Sequence, residues 1–127
     1  MYKRQVYIAP GGRHIRVDSK GTDYVIRLSD EDPVEGLRPC ANIMYDSLTK
    51  SRFDEITCVV LTGMGADGTK GIKNLKDAGR PIHVIGQDEQ SCVVYGMPKA
   101  LAQAGLTDEV VPLNQIADAI TKNVGVL

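Results

Sequence analysis

Two polar residues in this 127-residue sequence stand inside glycine-framed turns. His14 follows Pro10-Gly11-Gly12-Arg13, and Asp67 follows Gly63-Met64-Gly65-Ala66 just ahead of Gly68. Each turn trails an apolar segment, Gln5 to Ala9 and Ile56 to Thr62. In open α/β sheets, catalytic groups collect beyond the C-terminal ends of the strands. If the two strands are neighbours, Asp67 accepts a hydrogen bond from His14 Nδ1–H and holds the imidazole as a general base, the orienting arrangement of a hydrolase triad. The missing third member is a nucleophile. His83 carries no such expectation, because it falls inside a short strand with no polar companion nearby.

The turn at 63–68 also satisfies G-x-G-x-x-G, with Asp88 or Glu89 about 20 residues on, as a dinucleotide fingerprint requires. Against that reading, Asp67 puts a carboxylate where pyrophosphate would sit. Like charges about 4 Å apart repel by about 4 kcal/mol at an effective dielectric of about 20. A P-loop fails on order, since Thr69-Lys70 reverses the Lys-Thr that phosphate and magnesium need. The plain structural alternative is that the glycines permit a tight turn and Asp67 caps the helix behind it. One cap, however, needs neither three glycines nor a second glycine-framed polar residue at His14.

The elements that must position these residues follow from pattern. Gln5 to Ala9, stopped by Pro10-Gly11-Gly12, reads as a strand. Arg13 to Asp18 and Tyr24 to Leu28 alternate apolar with polar residues around Ser19-Lys20-Gly21-Thr22, an antiparallel hairpin with one wet face. Acidic Ser29 to Gly36, broken by Pro33, reads as a surface loop. After Arg38-Pro39, the spacing of Ala41, Met44, Tyr45 and Leu48 predicts a helix to about Ser51.

Ile56 to Thr62 is nearly all apolar or β-branched, as a parallel strand buried on both faces must be. Beyond its turn, Ile72, Leu75 and Ala78 mark a helix that stops at Gly79. Ile82 to Ile85 is a further strand, Gln87 to Gln90 a polar loop, and Val93 to Tyr95 a brief extended piece. Met97-Pro98 opens a helix to Gly105, Val110-Val111 is the last strand, and Ile116, Ala119 and Ile120 mark a C-terminal helix. This alternation implies βαβ units with right-handed crossovers, hence a three-layer α/β fold whose mostly parallel, doubly wound sheet carries an antiparallel hairpin.

Composition narrows the function classes. Lys and Arg total 15 against 16 Asp and Glu, so no basic field gathers nucleic acid or anionic lipid. No apolar run approaches the ~20 residues of a membrane span, and no secretion signal precedes the first turn. Cys40, Cys58 and Cys92 form no C-x-x-C pair and leave one unmatched, which points to reduced, structural thiols in a cytoplasmic protein.

Four segments carry a resemblance in order and spacing: Val6 to His14 (VYIAPGGRH), the Arg38-Pro39 entry, Val60 to Gly68 (VLTGMGADG) and Ile85 to Ala100 (IGQDEQSCVVYGMPKA). Together they resemble the C-terminal part of the catalytic domain of the CheB-type protein-glutamate methylesterases. The resemblance implies hydrolysis of glutamate methyl esters, and deamidation of glutamines, on methyl-accepting chemotaxis receptors by a Ser-His-Asp mechanism. It implies His14 as the base, Asp67 as the carboxylate that orients it, and the Met64 backbone N–H as an oxyanion-hole donor. Neither cofactor nor metal is implied.

The family's serine lies in an S-T-G-G segment that nothing here matches, and Ser19, Ser29, Ser47, Ser51 and Ser91 all lack that glycine framing. Asn42 is a second departure, standing where the family usually has aspartate. The expectation is therefore a partial domain over 1–127, without receiver domain or nucleophile segment, its N-terminal strands missing, inactive alone and prone to homo-association through an exposed sheet edge. Two other readings stay open: a non-catalytic receptor-binding or complementing module, and a dinucleotide-binding domain.

Overall fold

A computed structural model describes residues 4–125 of the chain. Strand β3 (Ile56–Val60) sends alternate side chains into two apolar layers, which is why its sequence is apolar almost throughout. Cys58 and Val60 enter one layer with Val84 of β4 (Ile82–Gln87). Val59 enters the other with Ile85 and with Val111 of β5 (Glu109–Val111). The strands pair in parallel in the order β3-β4-β5, with Cys58 opposite Val84 and Ile85 opposite Glu109.

Helices cover both faces. Helices α1 (Ala41–Ser47), α2 (Thr69–Asp77) and α3 (Met97–Gln103) deliver Tyr45, Ile72, Leu75 and Leu101 to the first layer. Helix α4 (Ile116–Val124) delivers Ile116 and Ala119 to the second. Ile72 and Leu75, three residues apart on one face of α2, are fully buried, each stabilising the fold by about 1.5–3 kcal/mol before cavity effects. Gly79 just beyond α2 takes a positive φ of 75°, the left-handed backbone its sequence position predicts. No helix among the described residues is long and apolar enough to cross a membrane.

The hairpin forms as expected, with β1 (His14–Lys20) antiparallel to β2 (Asp23–Ser29) and Val17 opposite Ile26. It makes a separate two-stranded sheet, lying against α1. Val17 packs on the first layer and donates its N–H to Ser47 Oγ at 2.9 Å.

Three expectations are corrected. Gln5 to Ala9 is not a strand: it runs exposed, with Val6 at 90% and Ile8 at 88% exposure. Its pattern suits a strand, but pairing is non-local, and no described segment offers it a ladder. Helix α1 stops at Ser47 rather than Ser51, because the hydroxyls of Ser47, Thr49 and Ser51 donate to the carbonyls of Met44, Asp46 and Leu48, competing with the helical ladder. Gln87, expected in a loop, is the last residue of β4 and lies opposite Val111.

Candidate active site

Asp67 lies beyond the C-terminal end of β3, as its sequence position requires, but it caps α1 instead of its own helix. Its Oδ2 accepts the Ala41 N–H at 2.7 Å, and Oδ1 accepts the Asn42 N–H at 2.9 Å and the Cys40 thiol at 3.1 Å. Asn42 returns the favour to α2: its Oδ1 accepts the N–H groups of Gly68 at 2.9 Å and Gly71 at 2.8 Å. Each helix is thus capped by a side chain from the other segment, satisfying donors that have no partner within their own helix. Gly71 permits the approach, since a Cβ there would lie 2.8 Å from Tyr45 Cβ and 2.9 Å from the Asn42 carbonyl oxygen.

The reciprocal cap gives the Asn42 departure a structural role. It also removes the physical basis of the dinucleotide reading, because the α2 N–H groups that would meet pyrophosphate are filled by Asn42 Oδ1. A carboxylate offers about four acceptor positions. Three described donors meet Asp67, two on Oδ1 and one on Oδ2, so Oδ2 retains room for one more.

His14 behaves differently from expectation. It is fully buried, its Nδ1 accepts the Cys40 N–H at 3.3 Å, and its Nε2–H donates to the Asp32 carbonyl at 2.9 Å. An N–H only donates and a carbonyl only accepts, so these partners select the neutral Nε2–H tautomer. The expected His14–Asp67 hydrogen bond is not formed. Cys40 stands between them, its N–H on the imidazole and its thiol on the carboxylate. The physical reason is topological: His14 opens the separate hairpin sheet, so the two turns do not follow adjacent strands. Burial, and then the Asp67 hydrogen bond, push the Cys40 thiol above its ordinary value and keep it a donor. Cys58, read as inert core, is fully buried and pushed by burial up to about 12.

The turn after β3 is held from two sides. Thr62 N–H donates to Gln87 Oε1 at 2.8 Å, Gly63 N–H to the Val94 carbonyl at 3.1 Å, and Met97 N–H to the Gly63 carbonyl at 2.8 Å. Gly96 allows this closeness, for a Cβ there would lie 2.6 Å from the Gly63 oxygen. Among the described residues the Met64 N–H donates to no acceptor, and Met64 is 83% exposed. Sequence reasoning missed Gln87. The available signal was a long amide directly behind an apolar strand, in a segment already singled out for its resemblance.

His83 lies near the start of β4, at the opposite end of the sheet from Asp67. It does have a polar companion, contrary to expectation: its Nε2 is 3.0 Å from Glu109 Oε1. Glu109 begins β5, and parallel register brings the two together at a distance in sequence that local pattern does not reveal.

These features define a doubly wound α/β domain whose polar turn, beyond a parallel strand, presents a carboxylate and an unpartnered N–H. The model of the CheB methylesterase family matches residues 1–120, and the chain belongs to that family. It is 45% identical over 120 residues to a protein-glutamate methylesterase/protein-glutamine glutaminase of Desulfotalea psychrophila, covering 93% of this chain and 32% of that protein. A Saccharophagus degradans protein of the same description is 46% identical over 119 residues, covering 94% and 32%. The chain therefore spans about a third of the length of these curated relatives. The crystal structure of the Thermotoga maritima CheB methylesterase catalytic domain superposes with a TM-score of 0.84 at 34% identity, covering 91% of this chain and 60% of that one.

Proposed function

We propose that this chain supplies the carboxylate and the oxyanion turn of a hydrolase that cleaves glutamate methyl esters, and deamidates glutamines, on chemotaxis receptors. In this reading a serine Oγ attacks the ester carbonyl and passes its proton to an imidazole held by Asp67. The Met64 N–H stabilises the oxyanion of the tetrahedral intermediate, a donor worth on the order of 2.7–4 kcal/mol. The resulting imidazolium then protonates the departing methoxide oxygen, so that methanol leaves, and water hydrolyses the acyl-serine to release glutamate and restore the serine. Glutamine follows the same course with ammonia leaving.

One observation carries the reading: Asp67 is fixed by three donors yet keeps an acceptor position open, three residues after an N–H without a described acceptor. The chain holds two histidines; His14 has both nitrogens occupied, and His83 is paired with Glu109 at the far end of the sheet. In this reading the imidazole that meets Asp67, like the serine, is supplied by polypeptide outside these residues, while His14 fastens the Cys40 turn.

The test is methanol release from a methylated receptor peptide. Turnover is expected when the chain is mixed with the part of the Thermotoga maritima domain that it does not match, and not from the chain alone. Asp67→Asn should lower kcat by up to about 10⁴-fold, as for an orienting aspartate in a serine triad. Turnover by the chain alone that vanishes in His14→Ala would overturn the proposal.

A further inference from the structure

Gln87 is 1% exposed, and every branch of its amide is engaged. Oε1 accepts the Thr62 N–H at 2.8 Å, while Nε2 donates to the Ser91 carbonyl at 2.9 Å and to Ser91 Oγ at 3.1 Å. Ser91 Oγ in turn lies 2.5 Å from Asp88 Oδ1 and accepts the Leu113 N–H at 3.0 Å. The Gln87 amide therefore ties the segment that leaves β3 to the one that leaves β4, and Ser91 Oγ extends the link to the segment that leaves β5. The ladder between β3 and β4 ends at Val60 opposite Gly86, so beyond that pair Gln87 is what holds the departing chain from the β4 side. On the other side stand the Val94 carbonyl and the Met97 N–H.

We infer that Gln87 is a positioning residue: its amide sets the backbone from Thr62 to Gly65 and, through it, the direction in which the Met64 N–H points. An acceptor on one branch and two donors on the other is a combination that glutamate and methionine, of similar length, do not offer. The alternative is a buried amide that merely supports the sheet. The inference rests on the proposed function only in taking the Met64 N–H as the oxyanion donor.

Amide hydrogen exchange on the 127-residue chain separates the two roles. Gln87→Met should speed exchange at Thr62 and Gly63 by about tenfold, roughly the worth of one net hydrogen bond, while Cys58 and Val84 keep their protection. Gln87→Glu retains an acceptor for Thr62, so those two amides should stay protected while Ser91 loosens. In the complemented assay, Gln87→Met should lower kcat with KM unchanged. Unaltered exchange at Thr62 and Gly63, a rise shared evenly by β3, β4 and β5, or an unchanged kcat in the loosened variant would each overturn the inference. Absence of turnover in the wild-type mixture would sink the proposed function instead, leaving the exchange result to decide the role of Gln87.

Discussion

The hairpin layer and the strand-end turns of the parallel sheet use polar groups in opposite ways. In the hairpin layer they are consumed in holding chain to chain. His14 has both ring nitrogens engaged, Arg13 meets Asp30 at 2.9 Å, Arg16 meets Glu31 at 2.7 Å, and Arg27 meets Asp18 at 2.8 Å. At the turns, Asp67 keeps an acceptor position and Met64 an N–H. Chemistry needs a group that is held firmly but not saturated, and Asp67 in the second region is such a group. A histidine behind a glycine turn looks catalytic in one dimension; in the fold it is buried, with a backbone partner on each ring nitrogen.

The largest test of this contrast is in packing. Leu75→Ala empties a fully buried site under the parallel sheet and should cost about 2–5 kcal/mol, whereas Leu28→Ala on the hairpin, at 38% exposure, should fall within about 0.5 kcal/mol of the parent. Denaturant unfolding of the two variants measures both. Comparable losses would show that the hairpin layer is as closely packed as the sheet.

Next is the reciprocal cap. Asn42→Ala removes the acceptor for the Gly68 and Gly71 N–H groups and should cost about 1–2 kcal/mol by thermal unfolding. Asn42→Asp restores an acceptor at a helix N-terminus and should recover most of that loss. A neutral Asn42→Ala would mean that water replaces the cap freely.

The smallest effect belongs to the hairpin ion pairs. The Arg16 guanidinium, and then the Ser29 hydroxyl, hold the Glu31 carboxyl down at about 2 against an ordinary 4.5. A carboxylate depressed in the folded state adds stability that is present above its unfolded value and lost as pH falls from about 4.5 through about 2. Glu31 is exposed, so the contribution is small and screened by salt. The stability difference between the parent and Glu31→Gln should shrink across that window, and a difference independent of pH would contradict the pairing.

What the sequence disclosed was whatever is local. The apolar run at β3, the spacing of Ile72 and Leu75, and the hairpin signals around Gly21 each read correctly, because burial on a strand or helix face imposes its own period. The turn at 63–68 was legible for the same reason: glycine and carboxylate stand together in sequence. What stayed hidden was pairing across distance. Gln5 to Ala9 had a strand's pattern but joins neither described sheet, Asp67 faced the other helix, His83 acquired Glu109 through parallel register, and Gln87 reached back to Thr62 across 25 residues. Each depends on which segments the topology brings side by side.

The most direct test of the account is the protonation pattern of the His14 ring, read from long-range proton–nitrogen correlations of the two imidazoles in the parent chain and in Asp67→Asn. His14 is expected to carry its proton on Nε2, with an unprotonated Nδ1 facing the Cys40 N–H, and to show the same pattern in both proteins. A proton on Nδ1 of His14 that is lost or displaced in Asp67→Asn would contradict it, and would return that imidazole to the side of the carboxylate.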